Sequence, residues 1–177
     1  MEFLFLRLDE TAAQQTAALA IDERLSWSLW KPSYRTIVPN GISLRPFGVW
    51  WLFHCLHVYR CRDYGILVIY DGKRLVHRSC VFPKWLRFPF MNDIDLQIAD
   101  TWTHPDYRGK GLAAFAASQI VSLCRRDGRV FWYFARIGNM ASIRVAKKIG
   151  FRECGKGSRV SGFGCRSLGR YQIEERV

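Results

Sequence analysis

Paired metal-binding cysteines are missing from this sequence. Its six cysteines, Cys55, Cys61, Cys80, Cys124, Cys154 and Cys165, are scattered, and no two stand as C-x-x-C. That spacing argues against a zinc ribbon or a disulfide framework and leaves buried free thiols in a reducing cytoplasm. Long apolar runs are missing too: nothing reaches the ~18 uninterrupted residues of a membrane span. The richest stretch, Phe47–Val58, is broken by His54 and His57. If it is a strand, those two rings point to opposite faces, which disfavours a shared metal. The opening Met1-Glu-Phe-Leu-Phe-Leu-Arg7 has an acid where a secretory signal needs a base, so a cytoplasmic protein is expected. Acidic residues are scarce, 15 against 27 basic ones, for a net charge of +12. Residues 73–88 carry five bases and no acid, and Arg144–Val177 carries nine bases and three acids. Such a surface draws phosphates, an anionic membrane face or nucleic acid, although simple solvation accounts for any single Lys or Arg. No RNA-binding motif is visible, so nucleic acid is disfavoured as a partner.

What the chain does contain is core-forming material. It is 49% hydrophobic and 15% aromatic over 177 residues, which excludes a disordered chain and suits one domain over 1–177. Phe3–Leu8 reads as an edge strand. A helix follows, capped by Asp9 or Thr11 and running toward Trp30, where Lys31-Pro32 stops it. After a loop-rich connector over Ser33–Pro46, Gly48–Arg60 and Tyr64–Tyr70 read as strands. Asp71-Gly72 signals a hairpin into Leu75–Phe82. Ile94–Thr103, a helix after Gly111, and Arg129–Ala135 make a strand–helix–strand unit with a parallel pairing. A second helix begins at Asn139, and a last hairpin turns around Ser161-Gly-Phe-Gly164. This order, antiparallel strands and then βαβ, a helix and a hairpin, is an α/β sandwich.

The stretch of greatest chemical interest is Thr101-Trp-Thr-His-Pro-Asp-Tyr-Arg-Gly-Lys-Gly-Leu-Ala113. Pro105 biases His104 toward extended geometry, so the strand ends there. Gly109 and Gly111 permit a sharp turn, and the next residues recur at helical spacing. A glycine loop that opens a helix presents unpaired N–H groups beside the positive end of a helix dipole, a natural seat for phosphate. Arg108 and Lys110 flank the glycines, and no carboxylate lies between Tyr107 and Arg126. The spacing fits neither G-x-x-x-x-G-K-[ST] nor G-x-G-x-x-G with a distal acid, so triphosphate and dinucleotide loops are not indicated.

His-Pro-Asp-Tyr-Arg108-Gly109-Lys110-Gly111-Leu-Ala resembles the pyrophosphate loop of the GCN5-related N-acetyltransferases, Q/R-x-x-G-x-G/A. Asn139-Met-Ala-Ser142-Ile-Arg-Val145-Ala-Lys-Lys148-Ile-Gly150-Phe151 resembles that family's asparagine helix ending in K-x-G-F. The resemblance covers about residues 64–175. It implies a mixed, mostly antiparallel central sheet with a βαβ cofactor unit, and it implies acetyl-CoA, or another acyl-CoA, as cofactor. The coenzyme's arm would pair with the backbone of Thr101, Trp102 and Thr103. Its pyrophosphate would sit on amides of Arg108, Gly109, Lys110, Gly111, Leu112 and Ala113. Asn139, Ser142 and Lys148 become cofactor-side candidates, Asn139 serving equally well as an ordinary helix cap. Two positions depart from the pattern. Asp106 stands where the family has Gln or Arg, and Ala146 stands where many members carry the tyrosine that protonates the leaving thiolate.

Acyl transfer to an amine needs a base for the amine and a proton for the thiolate. Asp95, fourteen residues before Gly109, stands where some members carry a glutamate base. It is read here as catalytic, its alternative being a solvated acid or an arginine partner. Alternation puts Asp95, Gln97, Ala99, Thr101 and Thr103 on one face in the absence of a bulge, with Asp100 turned the other way. Tyr133, Tyr171 or water is the candidate acid, and Cys165 is the one thiol placed to face a thioester. Trp30, Lys84, Trp85 and Arg87 form an aromatic-and-basic acceptor set, suited to a small-molecule amine such as an amino sugar or a nucleotide-linked sugar of surface polysaccharide synthesis. They serve as core or lid packing in the other reading. Protein acetylation and a non-catalytic acyl-CoA- or RNA-binding module remain open alternatives, and a homodimer is compatible with all of them.

Overall fold

The structure is a computed structural model and describes residues 2–14, 19–162 and 165–176. In chain order it contains β1 (Glu2–Leu8), α1 (Glu10–Gln14), β2 (Leu25–Trp30), α2 (Leu44–Cys55), β3 (Gly65–Asp71) and β4 (Arg74–Pro83). Then come β5 (Leu96–Thr103), a 3-10 turn (Pro105–Tyr107), α3 (Leu112–Cys124), β6 (Phe131–Arg136), α4 (Met140–Ile149), β7 (Arg152–Gly162) and β8 (Cys165–Arg176). The eight strands form one open sheet in the order β2-β3-β4-β5-β6-β1-β7-β8. Neighbours run antiparallel except β5 and β6. This is the mixed, mostly antiparallel α/β architecture expected from the motifs.

Three local expectations are corrected. Phe3–Leu8 is an interior strand, because β1 inserts between β6 and β7 and so is paired on both sides. Its run of buried residues Phe3–Leu6 reflects cover on both faces of the sheet. The long first helix is also wrong. Only Glu10–Gln14 is helical before residues 15–18, which lie outside the described residues, and Leu25–Trp30 is a strand antiparallel to β3. Leu-Ser-Trp-Ser-Leu-Trp alternates with period two, and that strand signal outranks the helix propensity upstream. Conversely, Gly48–Arg60 is no strand: Leu44–Cys55 is helix α2, with Ser43 accepting a hydrogen bond from Arg45 N–H at its start. Phe47, Trp50 and Phe53 recur every three residues, a helical stripe that packs Trp50 on Phe82 and Phe53 on Trp85. The expected final turn around 161–164 and the Cys165 side chain fall at least partly outside the described residues.

Apolar clusters cover both faces of the sheet. On one face α1, α3 and α4 cover Leu4, Leu6, Leu8, Leu67, Ile98 and Tyr133. On the other, α2 and the segment 85–91 cover Ile66, Val68, Cys80, Phe82 and Trp132. Buried polar stitches hold β5 beside β6. Arg129, 3% exposed, donates to the carbonyls of Ile94 (2.7 Å) and Cys124 (2.5 Å) and to Asp63 (2.6 Å).

Two features of β5 position the site. It pairs with β6 only over Leu96–Ile98, after which the two strands are unpaired and leave the β6-facing edge of Ala99–Thr103 open. It also carries a bulge: Arg78 faces Trp102 and Cys80 faces Ala99, so Asp100 and Thr101 together oppose Ser79. Asp100 takes the left-handed conformation (φ 49°), which aspartate tolerates better than most residues. The extra residue breaks the alternation. Gln97 and Ala99 lie on the α2 face, whereas Thr101 and Thr103 lie on the α3/α4 face.

Candidate active site

The turn after β5 is shaped by its own chain. His104 Nδ1 accepts from the Asp106 N–H, and the peptides of Tyr107 and Arg108 fold back on His104 and Pro105. Gly109 and Gly111 follow with φ of 76° and 79°. A Cβ at either would meet nothing within 4 Å, so the backbone conformation, not crowding, calls for glycine. Helix α3 then starts without a side-chain cap. The amide of Phe115 bonds to the Gly111 carbonyl, and the amides ahead of it have no partner four residues back. N–H groups without a partner among the described residues thus stand at the positive end of a thirteen-residue helix. Asp106, at the unusual position, is held 3.3 Å from Arg74, which offsets its charge beside the loop.

These amides border a cleft of about 580 Å³ between β5, the loop and α4. It gathers Thr101, Trp102, Thr103, Arg108, Gly109, Gly111, Leu112, Ala113, Asn139, Ser142 and Lys148, together with Tyr107, Arg144 and Val145, which the sequence had not singled out. Lys110 turns away: its ammonium lies 4.6 Å from the Tyr107 ring, beside a separate hollow with Asp22 and Arg24. Asn139 caps α4, its side chain accepting from the Ser142 N–H at 3.2 Å. Ala146 is fully buried in the core and leaves the cleft without a tyrosine from that helix. The phenol in the cleft comes from β6 instead. Tyr133 is 4% exposed and lines the cleft, and burial pushes its pKa up, with the nearby Ser142 and Thr101 side chains opposing. Beneath Thr101 runs a buried polar row. Ser79 lies 3.1 Å from Thr101, and His77 bridges Ser79 (2.9 Å) and Thr103 (2.8 Å). Burial and the neighbouring Arg78 pull the His77 pKa down to about 4, so the ring is neutral.

The structure places Asp95, expected as the base, away from the cleft. Asp95 is fully buried just ahead of β5, and its carboxylate accepts from Asn92 N–H (2.8 Å), Val130 N–H (3.2 Å) and Trp132 Nε1 (3.0 Å). With three donors fixed on it and no exposure, it ties the β5 entrance to β6 and lines neither the cleft nor the pocket behind it. The acid that lines the pocket behind β5 is Asp100. Its side chain is 37% exposed and sits 3.4 Å from Arg78 Nε and 3.9 Å from the Cys80 thiol. Burial pushes the Asp100 pKa up, with Arg78 opposing. Sequence reasoning set Asp100 aside because nothing local announces the bulge that re-aims it.

Behind β5, on the α2 face, a second cavity of about 230 Å³ holds Asp100, Gln97, Trp85 and Arg87. Of the acceptor set inferred from sequence, it therefore contains Trp85 and Arg87 only. Lys84 is 3.0 Å from Asp93, and the Trp30 indole donates to Thr36, which removes both from the pocket. Tyr171 lines this cavity, stacked on Phe88, and so sits across the sheet from the cleft that holds Tyr133.

Comparison with known proteins agrees with this geometry. Residues 90–156, which carry the loop, α3, β6 and the asparagine helix, match the family model described as GNAT acetyltransferase. No curated protein matches the chain in sequence. Among solved structures, a tandem GNAT protein from the clavulanic acid biosynthesis pathway aligns with a TM-score of 0.61 at 15% identity, covering 86% of this chain and 50% of that one. A GNAT-family protein from Novosphingobium aromaticivorans aligns at 0.55 and 16% identity, over 88% and 61%. A GCN5-related N-acetyltransferase from Sphaerobacter thermophilus aligns at 0.57 and 14%, over 88% and 49%. At these identities the likeness is one of fold, and the chain spans about half to three-fifths of the proteins it matches.

Proposed function

We propose that this chain, which over residues 90–156 belongs to the GCN5-related N-acetyltransferase superfamily, moves an acetyl group from acetyl-CoA, or another acyl group from its CoA thioester, to a primary amine of a small molecule. The observation that carries this reading is the row of unpartnered amides at the uncapped start of α3, opening on a long cleft that ends at the unpaired edge of β5. A diphosphate fits that end. The amides from Gly109 to Ala114 would hold its oxygens, and Arg108, Arg144 and Lys148 would add positive charge from the cleft wall. An extended amide-bearing arm fits the other end, where the backbone beyond Ile98 has groups free to pair. Bound acetyl-CoA supplies the thioester whose C–S bond breaks as the new N–C bond forms.

The chain's own residues then divide the proton work. Asp100 stands at the bulge where β5 and β6 are unpaired, and its raised pKa suits it to take the proton the amine gives up. Tyr133 faces the cleft from the neighbouring strand. Its raised pKa keeps the phenol protonated and able to donate to the departing sulfur, the role Ala146 cannot fill. The amino-sugar reading has less behind it, since Lys84 and Trp30 of the expected set are committed elsewhere.

Isothermal titration tests the proposal. Acetyl-CoA is expected to bind at near-physiological salt, and a screen for thiol release is expected to find amine-dependent turnover. Absence of acetyl-CoA binding by the folded protein refutes the reading.

A further inference from the structure

Three observations meet at the cavity behind β5. The first is an unanswered polar atom. Gln97 is 1% exposed, and its Oε1 makes no hydrogen bond among the described residues while lining the cavity. A buried acceptor without a donor is costly unless something brings one, and an amine N–H is the matching group. The second is the wall. Trp50, Phe82, Trp85, Phe88, Phe134 and Tyr171 surround the space, so most of what a ligand would touch is aromatic ring. The third is size. About 230 Å³ lies below the ~300–1,000 Å³ typical of pockets for drug-sized ligands, too small to enclose a nucleotide-linked sugar.

Position links this cavity to the chemistry. Asp100 lines it while Thr101, the next residue, lines the cleft on the other face. Phe134 and Tyr133 on β6 divide in the same way. Beyond Ile98 no backbone ladder closes the gap between β5 and β6, so the two spaces approach each other where the strands separate. An amine seated against Gln97 and Asp100 would lie at that gap.

We propose that this cavity is the acceptor subsite, and that it takes a compact aromatic primary amine, one ring on a short alkyl arm, with its nitrogen received by Gln97 Oε1 and the Asp100 carboxylate. The claim rests on the acetyltransferase reading and narrows it. Chemically, the amine nitrogen forms an N–C bond to the acetyl carbonyl, its proton passes to Asp100, and the sulfur leaves with the proton of Tyr133. The polar groups there, Gln97, Asp100, Arg87 and the Trp85 indole N–H, which has no partner among the described residues, are few beside the six rings, so a sugar's hydroxyls would face a mostly apolar wall. A lysine ε-amine would enter on a flexible alkyl chain and leave the aromatic wall without a ring to pack against.

Two measurements test it and separate its failure from that of the parent reading. Direct binding of 2-phenylethylamine, followed by saturation-transfer NMR on the folded protein, needs no acetyl-CoA. Binding is expected, with the ring protons saturated most strongly, and no binding overturns the proposal. Steady-state turnover with acetyl-CoA then compares 2-phenylethylamine, glucosamine and a lysine peptide. The aromatic amine is expected to lead in kcat/KM by about tenfold or more, the size expected when the wrong ligand forgoes apolar contact with a hydrophobic pocket. Equal or better use of glucosamine or the peptide overturns it, even if acetyl-CoA binds. Gln97→Leu, which removes the orphaned acceptor and leaves an apolar core side chain, is expected to raise KM for the aromatic amine about tenfold through the lost hydrogen bond. Its acetyl-CoA affinity should be unchanged. An unaltered KM in that folded variant also overturns the proposal.

Discussion

Replacing Asp95 by asparagine separates a structural carboxylate from a catalytic one. In the native protein one Asp95 oxygen accepts from Asn92 N–H and Trp132 Nε1, and the other from Val130 N–H. Asparagine keeps one acceptor and turns the second atom into a donor. Whichever way the amide sits, it aims N–H at N–H in a site with no solvent. At least one charge-assisted bond is lost, worth roughly 1.5–3 kcal/mol, and a buried donor left unsatisfied adds roughly 1–3 kcal/mol. Relief from burying a charge offsets part of that, for a net loss of roughly 2–4 kcal/mol. For a chain of this length each kcal/mol moves Tm by about 2–4 °C, so a fall of about 5–15 °C is expected by calorimetry. Below its melting point, Asp95→Asn should keep the wild-type dependence of kcat on pH. A variant that melts like the wild type but has lost turnover would refute this reasoning and restore Asp95 as the base.

Stability should fall as the solution is acidified from near neutrality. His77 has its pKa depressed from 6.5 to about 4, so the unfolded chain takes up a proton across that window while the folded one does not. The stabilisation is complete above 6.5 and is lost as pH drops toward about 4, amounting to roughly 3 kcal/mol for this fully buried ring. Denaturant titration across that range checks it, and His77→Gln should flatten this part of the profile. Tyr133→Phe should cut kcat by about a hundredfold, a usual size for loss of a positioned acid, while acetyl-CoA affinity, read by titration calorimetry, holds. An unchanged kcat would take the proton-donor role from Tyr133.

The parts of the site fixed by local chemistry were legible in the sequence. Gly109 and Gly111 announced a turn that only positive φ can make, and both adopt it. Asn139 announced a helix cap, and it caps α4. The parts fixed by pairing across the sheet were not legible. The bulge at Asp100 depends on how β5 meets β4, and no residue type encodes it, so Asp100 lines the cavity behind β5 while Asp95 is buried away from it. Phe3–Leu8 looks like an edge strand on its own, and only the return of β7 makes it interior. Aromatic richness misled as well. Phe47, Trp50 and Phe53 suit a strand by type, but their threefold spacing suits the helix they form.

The most direct test of the central claim is to follow backbone amide resonances while acetyl-CoA is added. If the open start of α3 grips the diphosphate, the amides from Gly109 to Ala114 should show the largest shifts, Gly109 and Gly111 moving downfield as their N–H groups gain a charged acceptor. Saturable binding that leaves those signals in place while others move would contradict it.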